Sequence, residues 1–537
     1  MRRLAIVLCI LLALPLVGVL GAWLTPQAQT WELLRHQAAT VLPGYAFSSL
    51  VLAAGVAIGV ALLGGATAAA VTLFDFPGRR VFEWALLLPL AMPAYVLAYA
   101  STDFLQYSGP LQTALRDLTG AQGPLWPDVR SLPGAIVLFT LALYPYVYLL
   151  TRGALVERGL HLMEAARLLG AGLGRRVRTV ALPLARPALA AGVALALMET
   201  LADYGVGSYF GLTTFTTGIY KAWLAMDDRI AAAQLATLLL AIVAVLLWAE
   251  RRAQARLRYA SARGGASERE ARPVRLRGRQ ALLAVLLCAL PVLLGFVLPV
   301  AVLLRAVWRE ALHGEFGLPW ERFSGWAWTS LQLATLAALA AVALAVLLGF
   351  LLRSRAGGAL PPLARLVSLG YAVPGAVIAV GLLLPVGWVQ AAAPGSAAAG
   401  WVTLAATGSI AGLLFAYLVR FSAVALQSVE AGYARIPVSF DDTARTLGAG
   451  ARRLFFGVHA PLLTRSALAA ALLVFVDVMK ELPATLVLRP FDSDTLAVVA
   501  YQFARDERLA EAALPSLAIV LVGLIPVVLL SRAMRAR

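Results

Sequence analysis

Twelve apolar stretches, each near or above the roughly 20 residues a helix needs to cross a bilayer, run from one end of this 537-residue chain to the other. They fall at about 4–24, 47–73, 82–104, 132–151, 184–208, 230–249, 281–304, 329–352, 363–386, 401–420, 464–487 and 511–531. Only 14% of the residues are charged and 61% are hydrophobic, against about 25% charged in a soluble domain. With a mean hydropathy of +0.82, most of the chain must face lipid or other helices. Ala, Leu, Val and Gly dominate the runs, and no water is there to satisfy an open strand edge, so helices are expected rather than barrel strands. The fold class is an all-α polytopic membrane protein.

The net charge of +17 could suggest a nucleic-acid partner, but its distribution does not. Arginines gather in alternate loops: Arg79 and Arg80; Arg175, Arg176 and Arg178; ten from Arg251 to Arg279; Arg353 and Arg355; Arg452 and Arg453; Arg532, Arg535 and Arg537. The intervening loops are nearly neutral, and 387–400 carries no charge. This positive-inside pattern places both termini in the cytoplasm and excludes nucleic acid. Met1-Arg2-Arg3 and its apolar run resemble a secretory signal, yet the run is long enough to span and lacks a small-x-small site before Trp23. It reads as the first transmembrane helix, with Ala281 to Leu304 as its counterpart. Cys9 and Cys288 sit mid-span as packing residues.

The chain is also a duplication. Glu164-Ala165-Ala166-Arg167-Leu168-Leu169-Gly170 returns 278 positions later as Asp442-Thr443-Ala444-Arg445-Thr446-Leu447-Gly448, and in each copy a proline, Pro183 or Pro461, follows the glycine by 13 residues. At the same offset Glu199 meets Asp477, Asp203 meets Glu481 and Thr217 meets Thr495; one residue out of step, Asp227-Asp228-Arg229 meets Asp506-Glu507-Arg508. Two six-helix halves, 1–249 (core 48–249) and 281–537 (core 328–531), are joined by an Arg-rich linker, 250–280, expected on the cytoplasmic side and mobile. Six being even, the repeats are parallel, with a pathway on the axis between them. Arg152 precedes Glu164 by 12 residues and Arg420 precedes Asp442 by 22, so the two cytoplasmic surfaces are expected to differ.

The repeated loop has its own local logic. Glu164 to Leu169 are good helix formers, Gly170 suits the left-handed residue that ends a helix, and Gly172 and Gly174 keep the turn pliable. Arg175 to Val180 then lead to Pro183, which fits the first turn of a membrane helix. The expected shape is a short helix, a glycine turn and a second short helix along the membrane face. Glu-Ala-Ala, the glycine, and Val180-Ala181-Leu182-Pro183 resemble the EAA loop of binding-protein-dependent ABC importer permeases. The resemblance implies that Glu164, Ala165, Ala166, Gly170 and Pro183, with Asp442, Thr443, Ala444, Gly448 and Pro461, couple the chain to a separate ATP-binding subunit. The second copy departs from the pattern, since Asp-Thr-Ala stands for Glu-Ala-Ala. Of the two lysines, Lys221 and Lys480, neither belongs to a phosphate-binding Gly-x-x-x-x-Gly-Lys loop, so ATP hydrolysis is expected in a separate chain and this one is expected to be a transport subunit that binds no cofactor.

Four carboxylates lie within spans. Glu199 and Asp203 share a helix face, and Asp477 and Glu481 repeat the arrangement. A charge at mid-bilayer costs about 2.5–3.5 kcal/mol on insertion scales, so each needs a cavity or a partner. Two readings stand: a translocation path of hard oxygen donors suited to a cation, or structural ion pairs with Lys480 and nearby arginines, helix five ending near Asp203. Tyr95, Tyr99, Tyr204 and Tyr209 lie in the same region, and Pro93 and Pro374 are expected to bend helices three and nine. His36, His161, His313 and His459 are scattered; His161 and His459 fall in the loops and are expected to meet solvent or the ATPase.

The stretch Glu199 to Gly211 with Thr213 to Trp223, and Phe475 to Thr485 with Phe491 to Leu496, resembles ferric-iron permeases in particular. That resemblance implies a bacterial inner-membrane subunit that imports ferric iron by alternating access. Its partners would be two copies of an ATP-binding subunit, a periplasmic or lipid-anchored substrate-binding protein docking on 25–46, 105–131, 209–229, 305–327 and 488–510, and membrane lipid. Thiamine permeases share the fused architecture, and thiamine or another small solute stays open as the cargo. A secondary transporter is the rival of another class, although it needs no duplicated coupling loop.

Overall fold

In the computed structural model the apolar runs are mainly helical, several of them broken, and the run expected at 401–420 is divided between the end of a short helix, Ala397–Thr407, and the start of the span Ile410–Tyr433. The structure describes residues 2–23, 28–156, 160–261, 273–313, 318–354, 359–407 and 409–535. In chain order the helices that matter here are α1 (Arg2–Gly21), α2 (Leu42–Leu73), α3 (Ala94–Leu105), α4 (Leu132–Ala154), α5 (Leu160–Leu168), α6 (Leu182–Ala202), α7 (Arg229–Ser261), α8 (Leu298–His313), α9 (Trp320–Arg353), α10 (Gly375–Ala392), α11 (Ile410–Tyr433), α12 (Val438–Thr446), α13 (Ala460–Met479), α14 (Leu496–Arg505) and α15 (Leu509–Arg535). Among the described residues, 11 helices are long and apolar enough to cross a membrane. Counting the broken pair Arg79–Ala91 and Ala94–Thr119, bent by 94°, as one span gives a twelfth. The protein is an all-α polytopic membrane protein.

The break falls at Pro93, where proline lacks the N–H that would continue the preceding turn. Pro374 breaks its helix in the same way: both residues have φ −57° and ψ 141° and stand just before α3 and α10. Serines start the next pair of spans, Ser131 accepting from the Gly134 N–H before α4 and Ser409 from the Ala411 N–H before α11.

These two serines are 278 apart, as are the left-handed glycines Gly170 and Gly448. The segments leading to the two loops are therefore equal in length. Arg420 is not the counterpart of Arg152; it lies in mid-helix, buried. Further on the register drifts. Thr495 corresponds to Thr214 rather than Thr217: each accepts from the N–H three residues ahead at 3.4 Å, and the next residue's N–H donates to a buried serine, Ser330 or Ser49. The left-handed residues before α7 and α15 are Asp227 (φ 48°) and Glu507 (φ 60°), an offset of 280.

The compact units do not follow the contiguous halves 1–249 and 281–537. One unit gathers Met1–Ala38, Gly218–Leu240 and Pro319–Val499; the other gathers Ala39–Thr217, Ala241–Leu318 and Ala500–Arg537. In the first, α1 packs on α10 at a pair of glycines: a Cβ on Gly18 would meet the Gly381 carbonyl, and one on Gly381 would meet the Pro15 carbonyl. Small residues allow this approach, which supplies the van der Waals contact that holds helices together in lipid. In the second, α8 packs against α15 and α3. Each half thus contributes its opening helix to the unit built mainly by the other half.

The two ends of the linker are structured, and 262–272, on which the expectation of mobility falls, lie outside the described residues. Helix α7 runs on to Ser261, so 250–261 continues the sixth span. At the far end β2 (Val274–Arg275) pairs in parallel with β1 (Phe74–Asp75), and the Leu276 N–H donates to the Asp75 carbonyl at 2.9 Å.

Candidate functional site

The two copies of the repeated loop fold alike. Helices α5 and α12 each end on a glycine in the left-handed region, Gly170 at φ 81° and Gly448 at φ 80°. In both, the glycine N–H reaches back to an arginine carbonyl (Arg167 or Arg445, 3.0 Å), and the next alanine N–H to the carbonyl of Ala166 (3.0 Å) or Ala444 (2.9 Å). This closes the last turn with the paired bonds of a Schellman cap. A Cβ on either glycine would meet nothing within 4 Å, so the glycine is required by its dihedral angle and not by space.

Beyond the turn lies a difference from expectation. The second short helix is not separate: Leu173–Ala202 and Ala451–Met479 are each one continuous helix. Pro183 and Pro461 sit in the first turn of α6 and α13, directly after wide π-type turns at Val177–Ala181 and Phe455–His459. Proline cannot donate to the carbonyl four residues back and its ring crowds that carbonyl, and the wide turn accommodates both effects.

What the loops present is equally similar. Glu164, Ala165 and Arg167, and likewise Asp442, Thr443 and Arg445, are exposed, while Ala166 and Ala444 are half-buried. Leucines stand out at the glycine turns, Leu168 85%, Leu169 87% and Leu447 78% exposed. Each loop thus presents an acidic residue, an arginine and at least one bare leucine on or beside a short helix.

His459 does not meet solvent. It is fully buried, its Nε2 3.0 Å from the Asp441 carboxylate and its Nδ1 3.4 Å from the Tyr433 hydroxyl. Asp441, the acid next to Asp442 and outside the repeated motif, is held by Arg353, which donates to both of its oxygens, at 2.8 and 3.2 Å. Burial pushes the Asp441 carboxyl up, but the hydrogen bonds from Arg353 and His459 outweigh burial and hold it below the ordinary range. The side chain of His161 lies outside the described residues.

Two of the four carboxylates within the spans, Asp203 and Glu481, sit at helix breaks. Helix α6 stops at Ala202, and Asp203 accepts from the Val206 N–H at 2.8 Å, opening the short helix Gly205–Tyr209. Glu481 plays the same part after α13 ends at Met479: it accepts from the N–H groups of Ala484 (2.8 Å) and Thr485 (3.0 Å) and from the Thr485 hydroxyl. Arg420 adds a buried ion pair at 3.2 Å, and Gly375 leaves the room, since a Cβ there would lie 2.8 Å from the Glu481 carboxylate. Asp477 pairs with Lys480 at 2.9 Å, and Glu199 is half-buried on α6. Glu199 and Asp203 belong to one compact unit, Asp477 and Glu481 to the other. Among the described residues no group of three or more His, Cys, Asp or Glu is arranged to hold a metal ion.

The tyrosines do gather within one unit. Tyr99 is fully buried, edge-on to Tyr209 (ring centroids 4.7 Å apart) and 5.8 Å from Tyr95. Tyr204 meets Tyr501, their hydroxyls 3.4 Å apart, and the Tyr501 hydroxyl is 2.8 Å from Ser208. Arg130 lies over the Tyr209 ring and bonds its hydroxyl at 3.2 Å and Glu507 at 3.0 Å. Tyr501 and Arg130 carry no local sequence signal. Arg420 does, as a lone charge in an apolar run.

Residues 61–259 match the family model described as the binding-protein-dependent transport system inner membrane component. Over 494 residues the chain is 26% identical to the Fe(3+)-transport system permease protein FbpB 2 of Haemophilus influenzae, covering 90% of this chain and 89% of that one. It is 28% identical over 255 residues to the sulfate transport system permease protein CysT of Salmonella typhimurium, covering 46% and 88%. It is 31% identical over 130 residues to the molybdenum transport system permease protein ModB of Escherichia coli, covering 24% and 55%. With its spans and its two like loops, the chain is similar to binding-protein-dependent transport permeases of the inner membrane, and its match to an Fe(3+)-transport permease runs over nearly its whole length.

Proposed function

We propose that this chain forms the membrane pathway of an ATP-driven importer for ferric iron and moves its cargo by alternating access. The observation that carries the coupling reading is the matched pair of glycine-capped helices, α5 and α12, displaying the same kinds of side chain to their surroundings. Each seats on an ATP-binding subunit supplied by another chain, Ala166 and Ala444 allowing close approach. Glu164, Ala165, Gly170 and Pro183, with Asp442, Thr443, Gly448 and Pro461, complete the two levers. ATP and its hydrolysis belong to that partner, and no cofactor is bound here. Both loops and both termini face the cytoplasm, as the arginine distribution supports. A substrate-binding protein delivers the cargo on the opposite face.

Ferric iron is favoured by a relative named for Fe(3+) transport whose match spans nearly the whole chain. The relatives named for sulfate and molybdenum match less than half of it. Glu199, Asp203, Asp477 and Glu481 are the candidates along the path. For Asp203 and Glu481 the capping bonds favour a structural part, shaping the broken helices that line it.

The test is uptake by proteoliposomes holding this chain with its ATP-binding subunit and binding protein. Radiolabelled Fe(III) should accumulate only with ATP inside the reaction, insensitive to collapse of the proton gradient. Accumulation of thiamine, sulfate or molybdate in its place overturns the iron reading. Uptake driven by the gradient without ATP overturns the importer reading altogether.

A further inference from the structure

The two coupling loops, alike in their exposed faces, are seated on opposite chemistries. At the offset of 278, Leu155, Met163 and Ala181 of the first copy correspond to Tyr433, Asp441 and His459 of the second. The last helical residue of α2 is Leu73, and that of α9 is Arg353. Around α5, Leu73, Leu155, Met163 and Ala181 join with Ala185 in one buried apolar cluster, supplemented by a long contact of 3.5 Å from Arg176 to the Met163 carbonyl. Around α12 the matching places form a hydrogen-bonded network. Arg353 grips both oxygens of Asp441 and donates to the carbonyls of Tyr433 (3.1 Å) and Pro437 (3.0 Å). His459 bonds Asp441 on one ring nitrogen and faces the Tyr433 hydroxyl on the other, with the rings of Phe350 and Tyr433 edge-on to its own.

The physical difference matters for a lever. Apolar contact is non-directional and tolerates small slides. A forked arginine–carboxylate pair is held in both distance and angle, and a buried charge network persists only when every member is satisfied. A seat of the first kind yields under load, whereas one of the second kind holds register until it breaks.

We propose that Asp441 and His459 are positioning residues that latch the second coupling helix to α9, α11 and α13, so that the two halves transmit the ATPase stroke unequally: the first through a compliant apolar seat, the second through a rigid polar one. The proposal rests on the coupling reading given above.

The test uses the full complex in proteoliposomes, with wild type, Asp441→Met, and the exchange R353L/Y433L/D441M/H459A that copies the first seat into the second. Hydrogen exchange of 438–446 and 160–168 reports the seats, and iron moved per ATP hydrolysed reports the stroke. Asp441→Met should speed exchange of 438–446 about tenfold, leave 160–168 unchanged, and lower the transport-to-hydrolysis ratio severalfold. The fourfold exchange should restore protection of 438–446 but not the ratio. Unchanged exchange in Asp441→Met, or a wild-type ratio in the fourfold exchange, overturns the latch while wild-type transport stays intact. Loss of ATP dependence in the wild type itself is the separate failure, that of the coupling reading, and takes the latch with it.

Discussion

Arg420 Nη1 stands 3.2 Å from the Glu481 carboxylate, tying α11 to the break after α13 with both side chains nearly withdrawn from solvent. Removing one member strands the other, and such losses run to about 3–5 kcal/mol when a buried charge is left alone. Glu481→Ala should therefore lower the melting temperature of the detergent-solubilised protein well below that of Glu481→Gln, which keeps an acceptor for the Ala484 and Thr485 N–H groups. If Glu481→Gln melts like the wild type yet no longer transports, Glu481 acts on the cargo and not on the fold.

The Gly18–Gly381 crossing gives a second expectation. A branched side chain at Gly381 has nowhere to go except into the backbone of α1, and overpacking of this kind typically costs about 1–3 kcal/mol. Helix α1 should shift, exposing Cys9, which is buried in the wild type. In Gly381→Val, a membrane-permeant maleimide should label Cys9 while Cys288 stays protected. Unlabelled Cys9 would count against the glycine contact as the anchor of α1.

A third concerns the caps of the levers. Replacing Gly170 and Gly448 with alanine forces an L side chain into the left-handed region, at about 1–2 kcal/mol per site. With proline at both sites the cap N–H is lost as well, and transport should vanish while the protein still inserts and binds lipid normally. Uptake assayed beside membrane yield separates the two effects, and normal uptake by the double proline variant contradicts coupling through these turns.

Asp441 supplies a dependence on pH. Its carboxyl titrates lower in the folded protein than the ordinary 3.8 it has in the unfolded chain. Ionised Asp441 thus adds stability that is complete above that ordinary value and fades as pH falls through the lowered one. Protection of 438–446, taken relative to the intrinsic amide exchange rate at each pH, should fall into the acid range in the wild type, and the same fall should be absent from R353L/Y433L/D441M/H459A. Equal acid profiles would falsify the assignment to Asp441.

Much of this was readable along the chain. A span must be apolar for about 20 residues wherever it lies, so the twelve runs announce the helices, and Pro93 and Pro374 announce their breaks by chemistry local to the residue. Gly170 and Gly448 are equally local: the end of a helix demands a left-handed residue, and the repeat marks both. The sequence reading went astray where one arginine looked like another, pairing Arg420 with Arg152, because a charge in a run says that it needs a partner without saying which.

Sequence alone therefore determined the class of fold, the repeated loop, the order of the apolar runs and the glycine caps of the two loop helices, since these follow from short-range sterics and the solvent preference of each segment. Only the tertiary structure decided that α1 rests on α10, that Glu481 belongs to Arg420, and that Asp441 closes a network with Arg353 and His459. Those relationships join residues 18 to 363 positions apart in the chain. A run of Leu and Ala is compatible with many neighbours, and packing geometry in three dimensions selects among them.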